Sequence, residues 1–285
     1  MTLFSNFKIY IIIYLIVSVI FNQNYKIVTK KNINDGVLTI LIQFISVITC
    51  IFLLPFFEFK VVTDYRVYLF LFISIIFYTI NDRLGTTSRK GLESSTYIIL
   101  KQISTVFMIF MGVLFFKEPL IIKKIIGSFL IVLSNIIVFY KKQNFKFNKH
   151  LLCGVIANAC LAVALFLDVN NSNKFNLSFY VLLTFLIPII LIFLFERIKI
   201  KDIVKEYKVC NKYALIVTGI TWSLMMITKL KSYELGSVSV VAPLTSLTVI
   251  LNIFVSYFFL KEKKDILKKV IAGILIIIGI ILIKS

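Results

Sequence analysis

The chain has 285 residues, of which 60% are hydrophobic, and its mean hydropathy is +0.98. A water-soluble domain of this length has no interior large enough for so many apolar side chains, since ordinary usage is about 45–50%. Four prolines and ten glycines leave the apolar runs largely uninterrupted, whereas barrel strands would alternate in polarity over short segments. The composition therefore indicates an integral membrane protein that is all-α.

The formal net charge of +19 is carried mostly by lysines in the short segments between apolar runs. Lysines at such positions lie beside anionic lipid headgroups, and no basic stretch is long enough to form a nucleic-acid-binding arm. The four cysteines form no CxxC pair, and His150 is the only histidine. We therefore expect no disulfide framework, no metal site, no cofactor and no histidine-based catalytic centre.

About ten segments have the length and composition of a membrane-spanning helix, which needs roughly 20 predominantly apolar residues. In chain order the predicted spans are 7–28, 36–57, 67–90, 94–116, 121–140, 151–170, 177–196, 213–234, 237–260 and 266–284. The connections are short. The longest charged connection, 197–212, is predicted to be an amphipathic segment at the headgroup level.

An internal repeat divides the chain into two five-helix halves, predicted as residues 1–148 and 149–285. The sequence VLFFKE at 113–118 is echoed by YFFLKE at 257–262, and KKIIGS at 123–128 by KKVIAG at 268–273. Because five helices are an odd number, two such units joined directly lie in opposite membrane orientations. This inverted-repeat plan is typical of secondary transporters.

The third predicted span carries the most informative polar residues. Its apolar part, 67–80, would rise only about 21 Å as a helix, so the helix is expected to continue through Asp82, Arg83 and Thr86. The eighth span likewise continues into Lys229. Short apolar segments at matching places in two halves point to a substrate site between them. The alternative is a shallower third helix, with Asp82 and Arg83 among the headgroups.

The remaining candidates lie inside other spans, each with a plainer alternative. Lys101 and Gln102 lie about seven residues inside the fourth span, so Lys101 either lines a cavity or reaches the headgroups along its own stem. Their repeat partners, Thr245 and Ser246, are also polar. Trp222 is interpreted as core filler or as the wall of a ligand site. The predicted cavity residues are Asp82, Arg83, Thr86, Lys101, Gln102, Asn158, Trp222, Lys229, Thr245 and Ser246. Asp168 is expected to be interfacial.

These motifs resemble the EamA-type members of the drug/metabolite transporter superfamily. In the second half the resemblance rests on APLTSL at 242–247, LKE at 260–262 and AGILI at 272–276; in the first half, on LESST at 92–96, FKEPL at 116–120 and Lys26. It implies a ten-helix inverted-repeat carrier whose central cavity is lined mainly by helices one, three, four, six, eight and nine. Lys101 and the Asp82–Arg83 pair depart from the usual pattern.

The leading hypothesis is a secondary transporter that exports a small polar, anionic or zwitterionic metabolite by alternating access. A flippase for a lipid-linked sugar or other amphipathic substrate is the alternative. An enzyme is not expected, because the carboxylates are scattered along the chain. The expected partners are a small-molecule substrate and membrane lipids, without nucleic acid; homodimer formation is left open. The expected location is the plasma membrane, as a multi-pass protein. Its orientation is left open, because the distribution of lysines disagrees with the usual orientation of the family.

Overall fold

The computed structural model describes residues 7–60, 62–115, 122–139, 148–169, 171–236, 241 and 244–284, and within them the regular secondary structure is entirely helical. In chain order the α-helices are α1 Phe7–Val28, α2 Asp35–Leu53, α3 Tyr65–Gly91, α4 Ser94–Leu100, α5 Gln102–Phe115, α6 Ile122–Phe139, α7 Lys149–Val169, α8 Leu177–Phe195, α9 Ile200–Val209, α10 Lys212–Leu235, α11 Thr248–Phe259 and α12 Ile266–Lys284. Short 3-10 turns at Leu54–Phe56 and Ser172–Lys174 follow α2 and α7.

Six of the described helices are long and apolar enough to cross a membrane: α1, α2 with its 3-10 extension, α3, α7, α8 and α10. Their bounds lie within a few residues of the predicted spans, because a long apolar run is the strongest helix signal in a membrane protein. The predicted continuation of the third span is also confirmed, since α3 runs through Asp82 and Arg83 as far as Gly91. The chain is therefore a multi-pass helical integral membrane protein.

Four of these helices begin at an asparagine or aspartate whose side chain accepts a hydrogen bond from the first turn. Asn34 caps α2, Asp64 caps α3, Asn176 caps α8 and Asn211 caps α10. Such a cap satisfies backbone N–H groups that have no partner within the helix. Capping residues therefore mark where each apolar run starts.

The predicted fourth span differs from the structure, because it is broken into α4 and α5 at Lys101. The amide of Ser104 donates to the carbonyl oxygen of Lys101 at 3.0 Å, which is the tighter spacing of a 3-10 turn. A similar interruption occurs in the ninth span, where Leu247 separates a helical turn at 244–246 from α11. Hydropathy along the sequence does not predict either interruption.

The helices pack in pairs that mostly join one half of the chain to the other. Helix α1 packs along α10, α3 along α7, α2 along α8 and α6 along α12. Smaller contacts join α5 to α7 and α1 to α11. A large core cluster of buried apolar side chains lies among α1, α2, α3, α7, α8 and α10, so these helices surround the centre of the molecule.

One end of the helix bundle, which we call the lysine-rich end, is closed by polar contacts between connections. Lys26 donates to the carbonyl oxygens of Arg89 and Leu92 at 2.9 and 2.5 Å. Glu206, on the short helix α9 that forms in the predicted amphipathic segment, accepts hydrogen bonds from the amides of Ile33 and Asn34. Connections after α1, α3 and α8 are thereby tied together.

Helices α6 and α12 approach each other closely through two glycines. A Cβ atom added to Gly279 would lie 2.6 Å from the carbonyl oxygen of Gly127, so no larger residue fits without parting the helices. Small residues allow such close backbone contact between membrane helices. This pair packs against the rest of the protein through α4, α5 and α11.

Candidate functional site

A polar cavity lies at the centre of the helices that surround the large core cluster. Side chains from α1, α3, α4, α7, α8 and α10 and the residue at the α4–α5 interruption form its wall. The lining residues are Phe21, Tyr25, Tyr78, Asn81, Asp82, Gly85, Arg89, Tyr97, Lys101, Leu161, Thr184, Phe185, Trp222, Met225, Met226 and Lys229. Both halves of the chain therefore contribute to one site.

The cavity is narrow in this conformation. Its free volume is about 40 Å³, which holds a few water molecules, since one water needs about 10–15 Å³ in this measure. A molecule with several carbon atoms enters only if the surrounding helices move apart.

Asp82 of α3 is buried in the cavity wall and is held by two amide side chains. Gln43 donates to its Oδ2 at 2.8 Å, and Asn81 donates to its Oδ1 at 2.7 Å. Among the described residues no cation forms an ion pair with this carboxylate. Its negative charge is therefore stabilised by hydrogen bonds from neutral donors, which is the arrangement that a buried carboxylate without a cation requires.

Arg89, two turns after Asp82 on α3, reaches the same cavity with its guanidinium group packed among aromatic rings. The guanidinium carbon lies 3.9 Å from the ring centre of Tyr97, 4.6 Å from that of Tyr25 and 5.1 Å from that of Phe21. Nη1 also donates to Oδ1 of Asn22 at 2.8 Å. Because stacking occupies only the faces of the planar group, edge N–H groups that bond to no described residue can donate to an acceptor in the cavity.

Lys101 and Lys229 approach the cavity from opposite halves of the chain. Lys229 of α10 is only 7% exposed, and its ammonium group lies 6.0 Å from the ring centre of Tyr14. Neither lysine forms an ion pair or a hydrogen bond through its amino group within the described part of the chain. A buried ammonium group is costly unless it is paired, so both groups require water or an anion in the cavity.

Another part of the cavity wall is aromatic. Trp222 of α10 lies 5.5 Å from Phe21, 5.8 Å from Tyr25 and 5.2 Å from Phe185, measured between ring centres. Edge-to-face and tilted pairs at these distances stabilise one another beyond simple burial. Trp222 is thus both part of the core and part of the cavity wall, and the two interpretations offered for it do not conflict.

Of the ten predicted cavity residues, the structure brings Asp82, Lys101, Trp222 and Lys229 to the cavity wall. Arg83 lies elsewhere, because consecutive residues of a helix point about 100° apart. Its Nε contacts Glu196 at the end of α8, and its Nη1 donates to Oγ1 of Thr87 at 2.7 Å. Arg83 therefore belongs to the lysine-rich end and is not a cavity-lining residue.

The other predicted residues are buried beside the cavity without lining it. Thr86 is hydrogen-bonded to Tyr25, and the Thr86 Oγ1 lies 2.6 Å from the Tyr25 hydroxyl oxygen. Asn158 donates to the carbonyl oxygen of Gly154 within α7. Gln102 donates to the carbonyl oxygen of Ile98, and Ser246 pairs with Thr105, both away from the lining. Thr245 is buried and is likewise outside the lining set.

Sequence reasoning missed Arg89 and Asp168. Arg89 stands next to Lys90 at the end of the third span and looks like an ordinary terminal charge. Asp168 was expected to be interfacial, and the structure shows that its side chain is completely buried within the protein. It accepts hydrogen bonds from Ser74, Tyr78 and Tyr180 at 2.5, 2.5 and 2.6 Å. The sequence signal for a buried Asp168 would be these three hydroxyl groups. Because they lie on α3 and α8, their shared contact with Asp168 can be recognised only when the pairing of the helices is known.

The described helices and the cavity between them are those of a multi-pass membrane protein. The model of the EamA-like transporter family matches residues 147–285, which confirms the resemblance to the drug/metabolite transporter superfamily. The match covers just under half of the chain, so the second half is similar to an EamA unit.

Comparisons of the whole chain agree on the fold. A solved structure titled "Crystal structure of protein" is similar with a TM-score of 0.61 over 95% of this chain and 98% of the other, at 14% sequence identity. At this identity the likeness shows the fold alone. The search of curated proteins finds no match.

Proposed function

We propose that the protein is a secondary transporter that exports a small organic anion or zwitterion across the plasma membrane by alternating access. The observation that carries this proposal is the charge of the cavity. Three cations, Arg89, Lys101 and Lys229, face one carboxylate, Asp82. None of the four forms an ion pair with a described residue. A carboxylate or phosphate of the substrate would supply the missing negative charge.

The arrangement of the cations favours a site over a structural network. Structural cations inside membrane proteins are paired with carboxylates or backbone carbonyls, as Lys26 is here. Lys229 is buried at the cavity wall and forms no ion pair with a described residue, so an anion in the cavity would stabilise its charge. Arg89 adds directional donors, because a guanidinium edge matches a carboxylate or phosphate.

The aromatic wall favours a substrate with a flat apolar body. Trp222 packs against Phe21 and Phe185 in the cavity wall, and Phe21 also contacts the Arg89 guanidinium. Binding sites for small molecules commonly combine such apolar walls with a few polar groups that fix orientation. A small carboxylate or phosphate with an unsaturated or aromatic portion uses both parts of this cavity.

Alternating access follows from two inverted repeats, residues 1–148 and 149–285. The helix contacts support this division, because exchanging the halves maps the α1–α10 contact onto α7–α3 and the α5–α7 contact onto α11–α1. The interruptions at Lys101 and Leu247 fall at matching places in the two halves. Broken helices at matching places are a feature of inverted-repeat transporters, whose repeats rock around a central site. The repeated Lys117–Glu118 motif lies outside the described residues.

The test is transport by purified protein in proteoliposomes loaded with a pooled metabolite extract, read out by mass spectrometry. Depletion of one or a few anionic or zwitterionic compounds is expected. Lys229→Gln and Lys101→Gln should each reduce their transport by about tenfold or more, since removing one partner of a desolvated charge pair costs at least about 2 kcal/mol. Lys205→Gln, which replaces an exposed lysine of α9, is the matched control. Cationic cargo only, or full activity of both cavity variants, refutes the proposal.

A flippase for a lipid-linked sugar is less well supported. Such a protein needs a lateral path from the cavity to lipid. The apolar groove between α11 and α12, which opens on the outside of the bundle, shares no lining residue with the central cavity. Analysis of cell-envelope glycans after deletion of the protein would separate the two functions, because a flippase defect changes those glycans and a metabolite exporter defect does not.

A further inference from the structure

An apolar groove runs between α11 and α12 on the outside of the protein. Its volume is about 350 Å³. The lining residues, which carry almost no polar surface, are Ile250, Ile253, Phe254, Tyr257, Phe258, Ile266, Val270, Gly273 and Ile274. They extend along the length of α11 and over the first turns of α12, so one end of the groove reaches the α11–α12 connection at the lysine-rich end.

In the connection between α11 and α12, the lysines face outward and a glutamate faces inward. Lys261, Lys263 and Lys264 are exposed. Glu262, between them, turns inward and accepts hydrogen bonds from the amides of Ser94 and Ser95 at 2.7 and 3.1 Å. The carboxylate of Glu262 is thus used inside the protein. Asp265 is the one exposed carboxylate among the described residues 260–265, so three exposed lysines leave the outer face of the connection with a net positive charge.

Lys263 links the cationic face to the groove. Its Nζ lies 6.0 Å from the ring centre of Tyr257, and Tyr257 is one of the groove-lining residues. A cation over a tyrosine ring is attracted by the negative face of the ring. The positive charge is therefore held at the headgroup end of an apolar channel, where tyrosine also commonly lies in membrane proteins.

We propose that this groove binds an anionic glycerophospholipid. One acyl chain lies between α11 and α12, and the phosphate of the headgroup contacts Lys263 together with Lys261 or Lys264. Basic residues at headgroup depth attract anionic lipids, while the apolar channel accounts for a chain and not for a free phosphate ion. This site is separate from the transported substrate and does not depend on the proposed function.

Charge argues against a second copy of the protein as the occupant. A symmetric contact uses the same surface on both subunits, so it would bring two clusters of exposed lysines together. Like charges at such a contact repel each other. An anionic lipid instead neutralises each cluster separately.

The test is native mass spectrometry of the whole protein after exchange into mixed micelles of phosphatidylglycerol and phosphatidylcholine. We expect one phosphatidylglycerol to be retained preferentially. Lys263→Gln/Lys264→Gln should lower its retention by about an order of magnitude, because each lysine near an anionic headgroup contributes to binding. Lys205→Gln/Lys208→Gln, which removes two exposed lysines of α9, is the matched control and should retain the lipid.

The groove itself is tested by substitutions at Gly273. A Cβ atom added there would lie 3.4 Å from Cδ1 of Ile253, an ordinary contact, so Gly273→Ala should retain the lipid. Gly273→Leu fills the channel and should lower retention as much as the lysine pair does. Equal retention of both lipids, or retention unchanged in the Lys263/Lys264 variant or in Gly273→Leu, overturns the proposal. A dimer mass that Gly273→Leu abolishes would identify a second copy as the occupant and overturn it too.

Discussion

The hydroxyl group of Tyr78 lies in the wall of the central cavity and donates a 2.5 Å hydrogen bond to Oδ2 of Asp168, which lies behind that wall. Ser74 and Tyr180 donate to the other carboxylate oxygen. One buried carboxylate of α7 therefore joins α3 to α8. A buried anion that accepts several hydroxyl hydrogen bonds is well satisfied without a cation.

Removing this carboxylate should destabilise the protein strongly. Asp168→Ala leaves three buried hydroxyl groups without their acceptor, and hydrogen bonds to a charged group contribute about 1.5–3 kcal/mol each. We expect thermal unfolding in detergent to occur several degrees lower in Asp168→Ala than in the unaltered protein. Tyr78→Phe, which removes one donor and leaves two, should lower it by less. Equal unfolding temperatures in all three proteins would contradict this account.

Gly85 gives a way to close the cavity without changing its charges. It lies on the cavity-facing side of α3, where an added Cβ would be 3.2 Å from the hydroxyl of Tyr97. Gly85→Leu should abolish substrate binding, because its side chain occupies the free volume. Gly85→Ala should retain measurable binding after a small shift of Tyr97. Isothermal titration with a transported anion distinguishes the two variants, and tight binding by Gly85→Leu would exclude this cavity as the site.

Arg89 should not be replaceable by lysine. Lysine keeps the charge but lacks the planar group that packs among Tyr97, Tyr25 and Phe21. It also cannot reproduce the geometry of the hydrogen bond that the guanidinium donates to Asn22. We expect Arg89→Lys to weaken anion binding by about tenfold, since a stacked or bidentate guanidinium contributes roughly 1–2 kcal/mol more than an ammonium group.

The matched control for Arg89 is Arg83→Lys. Arg83 lies six residues earlier on the same helix but contacts Glu196 and Thr87 instead of the cavity. Its replacement should leave the dissociation constant nearly unchanged. A similar loss of affinity in both variants would mean that the helix as a whole, and not the Arg89 side chain, determines binding.

Glu262 should protect the start of α4 from opening. Its carboxylate accepts hydrogen bonds from the amides of Ser94 and Ser95 and from the Ser95 hydroxyl. Glu262→Ala leaves these amides without their acceptor, so hydrogen exchange at 94–96 should become faster by about tenfold or more, as expected when a charged hydrogen bond is lost. Glu234→Ala, which removes a carboxylate paired with Lys231 on α10, should leave exchange at 94–96 unchanged.

Much of the fold was predictable because membrane helices are specified by one dominant signal, the length of the apolar run. The third span was extended correctly through Asp82 because its apolar part was too short to cross. The interruption at Lys101 was not predicted. It is a local 3-10 turn, and no proline or glycine stands next to Lys101 in the sequence to indicate it.

The site was predicted only in part, for a geometric reason. Hydropathy shows that a polar residue lies within a span, but not which direction its side chain takes. Asp82 and Arg83 are neighbours in sequence, yet one faces the cavity and the other faces Glu196. Arg89 was overlooked for the opposite reason, since its position near the end of α3 suggested contact with headgroups, while the aromatic rings of α1 and α4 hold it inward.

The glycine contact between α6 and α12 sets a reference for measuring any motion of the other helices. With the carbonyl of Gly127 against Gly279, the two backbones are in close contact at this point, which leaves little room for the helices to repack against each other. Spectroscopic labels placed on α6 and α12 should therefore keep a constant separation through a transport cycle. Distances from labels on the α6–α12 pair to labels on α1 or α3 would then report displacement of α1 or α3 alone.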